Sequence, residues 1–239
     1  MSKYLMFIDD ADDAACYPVE RLISMTCASN ATLLLNFESS VGKSDGGDTV
    51  TLTITADKEK SVMENIIKAI NNAKEGDIIT VANDTTVAAT GLIEIVDHDG
   101  AGGTDINNLH GTNGFVLIST DGNSKEYIFD KNNALGATGT ADAQGIVIQV
   151  NGMTTASDVA NQVELAIEHS NGHNGKILVT RNNEFINLTQ NTAGSAGNRY
   201  THGGSLADNI NITFTDMHGG TDGTYIDADI TACAITLDT

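Results

Sequence analysis

Six histidines, three cysteines and 32 carboxylates are the groups from which this 239-residue chain could build a reactive centre. Their spacing decides what they can do. His169 and His173 are four positions apart, the interval that places two ligands on one helical face, but Ser170-Asn171-Gly172 between them ends a helix. His202 and His218 each precede a glycine in loop-like sequence. No H-E-x-x-H is present and no cysteines have C-x-x-C spacing, so the common zinc patterns are missing. Asp97-His98-Asp99-Gly100 begins like a calcium loop, yet the position that should hold a bidentate glutamate is Asn108. Asp97, Asp99 and Asp105 are therefore candidate metal ligands in a stretch whose plainer reading is a Gly/Asp turn.

Nucleophilic and phosphate chemistry fare no better. Gly203-Gly204-Ser205 lacks the second glycine of a nucleophile elbow. Val41-Gly42-Lys43-Ser44 contains the GKS of a phosphate loop, but Phe37 stands where its first glycine should be. Paired carboxylates such as Asp9-Asp10 and Asp12-Asp13 are expected as solvated surface in a chain of net charge −20. No nucleophile, base and oxyanion donor combine. The expectation is a non-enzymatic protein with no catalytic residue and no cofactor.

The elements that would position any site read as an α+β, β-rich fold. Asp48 to Ala56 alternates with period two, setting Val50, Leu52 and Ile54 on one face and threonines on the other. Val62, Ile66, Ala69, Ile70 and Ala73 then recur at three- and four-residue spacing, which predicts a helix over 58–73 with Asp57 as N-cap. Further strands are expected at 3–8, 19–27, 31–38, 78–81, 114–120, 125–129, 145–150, 176–180, 184–189, 209–215 and 225–237. A second helix is expected over 156–169, entered through a capping box of Thr155 and Asp158. Gly-rich stretches at 97–105 and 216–223 echo each other and bracket the second strand–helix–strand segment. They predict two domains of antiparallel strands with one main helix each. Residues 88–223 are inserted into a base domain of 1–87 and 224–239.

Composition bounds the partners. With 32 acidic against 12 basic residues, the chain repels phosphate backbones and anionic membrane surfaces, so neither nucleic acid nor membrane is an expected partner. Only 5% of residues are aromatic, there is no Trp, and Pro occurs once, which fits aliphatic cores joined by Gly, Asn and Asp turns. Cys16, Cys27 and Cys233 sit among apolar residues and are expected as buried thiols in a protein folded in a reducing cytoplasm. The opening Met1 to Asp10 carries too short an apolar run for a signal peptide, and no apolar stretch approaches the ~20 residues needed to span a bilayer.

The second segment resembles a domain of structural proteins of tailed phages, notably those of marine bacteria. The resemblance lies in Gly114-Phe115-Val116-Leu117-Ile118-Ser119-Thr120-Asp121-Gly122, in Tyr127-Ile128-Phe129-Asp130, and in Ser157-Asp158-Val159-Ala160. It is clearest from Ile186 to Asn198, an LTQ-x-TAG-x-AGN succession completed by Phe214 and Gly219-Gly220-Thr221-Asp222-Gly223. The first segment is similar to small proteins of contractile-tailed cyanophages, with a Lys-Tyr-Leu strand, a TVTLT strand before one helix, and an ending like Ile230 to Cys233. The resemblance implies a virion structural protein assembled in the host cytoplasm. A capsid decoration or head-accessory role leads, and a tail or fibre component or a carbohydrate- or receptor-binding module is the alternative. Implied partners are the major capsid protein, other virion proteins or further copies of the chain. It carries over no catalytic or binding residue.

Overall fold

The computed structural model describes residues 2–39, 46–96, 110–200 and 212–238. In chain order the first elements are β1 (Tyr4–Ile8), β2 (Ala14–Pro18), β3 (Leu22–Ser29), β4 (Thr32–Phe37), β5 (Thr49–Ile54), α1 (Glu59–Asn72) and β6 (Ile78–Asn83). Then follow β7 (Thr90–Ile95), β8 (His110–Ile118), β9 (Ser124–Asp130), β10 (Ile146–Gln149), α2 (Ala156–Glu168), β11 (Ile177–Asn182) and β12 (Phe185–Gln190). The chain closes with β13 (Ile212–His218), β14 (Thr224–Tyr225) and β15 (Ile230–Thr236). Strand outweighs helix, 44% against 16%, so the fold is α+β and β-rich. Two compact units result, one of Met1–Thr85 with Asp222–Thr239, the other of Thr86–Thr221.

The first unit has two four-stranded sheets, ordered β14-β6-β1-β2 and β15-β5-β4-β3. The second sheet is antiparallel throughout. Alternation explains its inner face: Leu33, Leu35 and Phe37 of β4 and Val50, Leu52 and Ile54 of β5 are all buried, with the residues between them pointing outward. These side chains share one core with Leu5, Phe7 and Tyr17 of the other sheet and with Val62 and Ile66 of α1, while Ile70 is partly buried against it. Ile66 is fully enclosed. Ile66→Ala is therefore expected to cost about 2–5 kcal/mol. Chemical denaturation would measure it, and a loss below about half a kcal/mol would show that the α1 face is not packed as described.

The second unit pairs a three-stranded sheet, β10-β9-β8, with a four-stranded one, β11-β12-β7-β13. Their apolar faces and the buried stripe Val159, Ala160, Val163, Ala166 and Ile167 of α2 form a separate core. Arg181 of β11 fixes the helix from outside, donating from Nε to Glu164 at 2.9 Å and from Nη1 to Ser157 at 3.1 Å.

Several details depart from the sequence expectation. Strands β1 and β6 run parallel, as do β9 and β10, beside the expected antiparallel pairs. In both strand–helix–strand passages the helix carries the chain from one sheet to another: β5 and β6 lie in different sheets, as do β10 and β11. Asp57 is not the N-cap of α1. Its φ is +64° and its N–H donates to Asn30 O at 2.8 Å, so it closes a turn against the preceding hairpin. Lys58 takes the cap position, its carbonyl accepting from Val62 N at 3.0 Å. Residues 19–21 form a 3₁₀ turn, and Asp216 to His218, expected in a loop, end β13. Cys16 and Cys27 are exposed and only Cys233 is buried. On β2 the inward position belongs to Tyr17, which turns its neighbour Cys16 outward, and Cys27 lies at the open end of β3.

Candidate functional site

The polar groups of the second unit converge where the β8–β9 turn, the α2–β11 loop and the segment after β12 meet. In the β8–β9 turn, Ser119 N donates to Asn123 O at 3.0 Å and Gly122 N to Ser119 O at 2.8 Å. Asp121 then gathers three donors: Ser119 Oγ at 2.6 Å, Asn123 N at 3.1 Å and Lys176 Nζ at 2.5 Å. The hydrogen bond from the Lys176 ammonium, followed by that from Ser119, holds its carboxyl well below the usual carboxylate range. Around this pair lies a cleft of ≈ 380 Å³ lined by Ser119, Thr120, Asp121, Asn174, Gly175, Lys176, Asn191 and Thr192. None of these eight is aromatic.

Behind the turn a buried pair crosses the unit. Tyr127 Oη and His173 Nδ1 lie 2.7 Å apart, and His173 Nε2 lies 3.2 Å from Asn123 O. A carbonyl only accepts, so Nε2 carries the proton and Nδ1 accepts from the tyrosine hydroxyl. The arrangement suits a neutral imidazole. Burial pushes the His173 value down, Lys125 and Lys176 push the same way, and the Asn123 carbonyl and Asp121 oppose them. Burial also pushes the Tyr127 phenol up. Both shifts favour the neutral forms of the pair, which links β9 to the α2–β11 loop.

That link has a pH signature. The folded-state value lies below the ordinary ~6.5 of the unfolded chain, so the stabilisation is complete above about pH 6.5 and is lost as pH falls through the folded-state value. Unfolding free energies of the second unit measured from pH 8 to pH 5 should fall towards acid in the wild type and fall less in His173→Gln. Equal slopes for the two proteins between pH 7 and pH 5.5 would remove His173 as the cause.

The segment after β12 is built around two side-chain amides. Gln190, 1% exposed, donates from Nε2 to Ile118 O at 2.8 Å and accepts from Thr120 N at 2.9 Å and Thr120 Oγ1 at 3.1 Å. Thr120 Oγ1 also reaches Thr192 O at 2.9 Å. Asn198 closes a two-way bridge with Gly220, donating to its carbonyl at 2.9 Å and accepting from its N–H at 2.8 Å. Gly194, at φ +123°, turns the chain so that its carbonyl lies against Gly220, where any Cβ would collide with it.

Of the residues singled out from sequence, Asp97, Asp99, Asp105, His202, the GKS of 42–44 and Ser205 lie outside the described residues. His169 and His173 are not brought together: His169 is the exposed C-cap of α2, while His173 turns inward to Tyr127. His218 is exposed, with Nδ1 2.8 Å from Asp216 O. Asp9, Asp10, Asp12 and Asp13 form a local turn in which Asp10 Oδ1 accepts from Asp12 N at 2.8 Å and Asp13 N at 2.9 Å. Thr155 caps α2 by accepting from Asp158 N at 3.1 Å, and the Asp158 carboxylate accepts in return from Thr154 N and Thr154 Oγ1, both at 3.3 Å, while hydrogen bonding to Thr155 holds that carboxyl below its usual range. The Tyr127–His173 pair and the Gln190 and Asn198 bridges were not foreseen, because each joins residues far apart in sequence. Among the described residues no group of three or more His, Cys, Asp or Glu is placed to hold a metal, and no helix is long and apolar enough to cross a membrane. No protein-family model matches the chain, and no curated protein matches it.

Proposed function

We propose that this chain is a non-enzymatic structural protein of a tailed-phage virion, acting as a capsid decoration or head-accessory protein on a shell assembled in the host cytoplasm. One observation carries the reading. The residues through which the chain resembles phage structural proteins are spent on holding the second unit together. Gln190 and Asn198 staple its loops, Gly194 and Gly220 permit their close approach, and Phe115 stacks on Tyr127 at 5.3 Å. Asp130, fully buried, accepts from Asn132 N at 3.2 Å and Leu135 N at 2.8 Å and so fixes the loop after β9. A signature consumed by architecture suits a protein whose product is a shape. The charge of −20 suits docking on a basic shell face or keeping a crowded surface soluble.

Purified particles test this directly. Mass spectrometry and labelled imaging of intact virions should find the chain at many copies per particle, on the head. Its presence in infected-cell lysate and absence from particles would overturn the reading. Copies confined to the tail would replace the head role by a tail or fibre role. A second reading, a carbohydrate- or receptor-binding module, is favoured by the polar cleft around Asp121 and Lys176. Glycan-array binding that is lost in Asp121→Ala would support it. The absence of an aromatic platform in that cleft weighs against it, because sugar faces are held by stacking on apolar rings.

A further inference from the structure

We infer that β3 is a self-association edge, pairing antiparallel with β3 of a second copy of the chain. The inference stands apart from the virion reading, since it concerns the protein in solution. Strand β3 ends the sheet β15-β5-β4-β3 and is paired on one side only, by β4. No other described strand meets its outer edge. From Leu22 to Phe37 the sequence contains no Lys, Arg, Asp or Glu, in a chain where such residues make up 18%. Ile23 on this strand is 66% exposed, and Thr26, Cys27, Ala28 and Ser29 are exposed beside it.

Sheet edges are normally protected by charge, proline, shortness or a covering segment. The other edges of this unit have those protections. Strand β2 follows Asp12 and Asp13 and ends on Pro18, and β14 is two residues long. On β15, Cys233 N donates to Asp84 Oδ2 at 2.7 Å, and its Sγ reaches Ile8 O at 3.3 Å. Strand β3 has none of these. It carries instead two register irregularities, at Leu22/Ser24 and Cys27/Ser29, which leave Ser24 to Cys27 as a regular run. Bulges are themselves an edge protection, bending and twisting the strand where they occur, so the open part of this edge is the regular run Ser24 to Cys27 between them, and pairing is confined to it.

Charge selects the occupant. A chain of net charge −20 repels its own copies wherever acidic faces meet, and a basic partner would be drawn to those same faces. A neutral strand edge is where a second copy can approach without that repulsion. An antiparallel edge is also self-complementary about a twofold axis, because each strand offers the other the same alternation of N–H and C=O.

The test uses the full chain. Sedimentation at tens of micromolar should show a species of twice the 25.0 kDa chain mass, and raising salt should strengthen it, because screening relieves acidic self-repulsion. The double variant I23E/T26E sets like charges across the dyad. It should weaken the dimer more than about tenfold while leaving the circular dichroism spectrum unchanged. In a Cys16→Ser background Cys27 is the exposed thiol, and a short bismaleimide should link two chains through it. A wild type that stays monomeric at all salt concentrations would overturn the inference. So would a dimer that I23E/T26E leaves intact, since association would then use another surface. Neither result touches the virion reading, which is decided by the content of particles.

Discussion

Phe37→Ala is expected to destabilise the first unit by roughly 3–5 kcal/mol, the range for removing a buried aromatic ring. Phe37 is fully buried on the inner face of β4. Its ring stacks on Tyr17 at 4.1 Å, with planes 13° apart, and meets Phe7 edge-on at 5.9 Å. These neighbours belong to the opposite sheet, so the ring joins the two layers of the core, and aromatic pairs add about 0.5–1.5 kcal/mol beyond area burial. Phe37→Leu keeps most of the volume and should recover much of the loss. Denaturant unfolding gives the magnitude, and hydrogen exchange gives the place: amides of β1, β4 and β5 should lose protection. A loss under about 1 kcal/mol would mean that Phe37 does not join the layers as described.

How far the sequence told this in advance depends on whether a signal is local. The alternation of Thr49 to Ile54 and the helical recurrence of Val62, Ile66 and Ile70 are local, and the buried residues of β5 and α1 follow them. Strand β2 was missed because Ala14-Ala15-Cys16 offers little contrast between faces and the run stops at Pro18. Strand β7 was missed because Gly91 interrupts it; a Cβ at Gly91 would crowd the backbone of β13, so the glycine serves the pairing. Asp57 shows local chemistry losing to tertiary context, since a residue of good capping type was drawn into a turn by the carbonyl of Asn30. Sheet partners are non-local, which is why two parallel pairs went unforeseen. For the site the separation is greater still. Residues 127 and 173, 120 and 190, and 198 and 220 meet only after the sheets have formed. The LTQ-x-TAG-x-AGN succession was visible as a pattern, but the duty of its glutamine could be read only from the carbonyl of Ile118.

That glutamine gives the sharpest test of the second unit. Gln190→Leu keeps the approximate volume but leaves Ile118 O and Thr120 N without their partner at a position that is 1% exposed. Two fully buried groups left unpaired would cost about 2–6 kcal/mol, and because Ile118 O and Thr120 N are only part-buried the expected loss is the lower half of that range, about 2–4 kcal/mol. Gln190→Glu separates hydrogen bonding from shape. An ionised glutamate can still accept from Thr120 N, but it cannot donate to Ile118 O and sets a negative charge against that carbonyl. A protonated glutamic acid can do both. Burial and the facing carbonyl should therefore raise its folded-state pKa above the unfolded value of about 4.3. Stability of this variant is then fullest below that unfolded value and is lost as pH rises through the folded-state one, the reverse of the His173 effect. Relative to the wild type, Gln190→Glu should be far weaker at pH 7 and close the gap towards pH 4. A constant difference across that range would mean that Gln190 acts by filling space, and that the loops around Thr120 and Thr192 are held by something other than its amide.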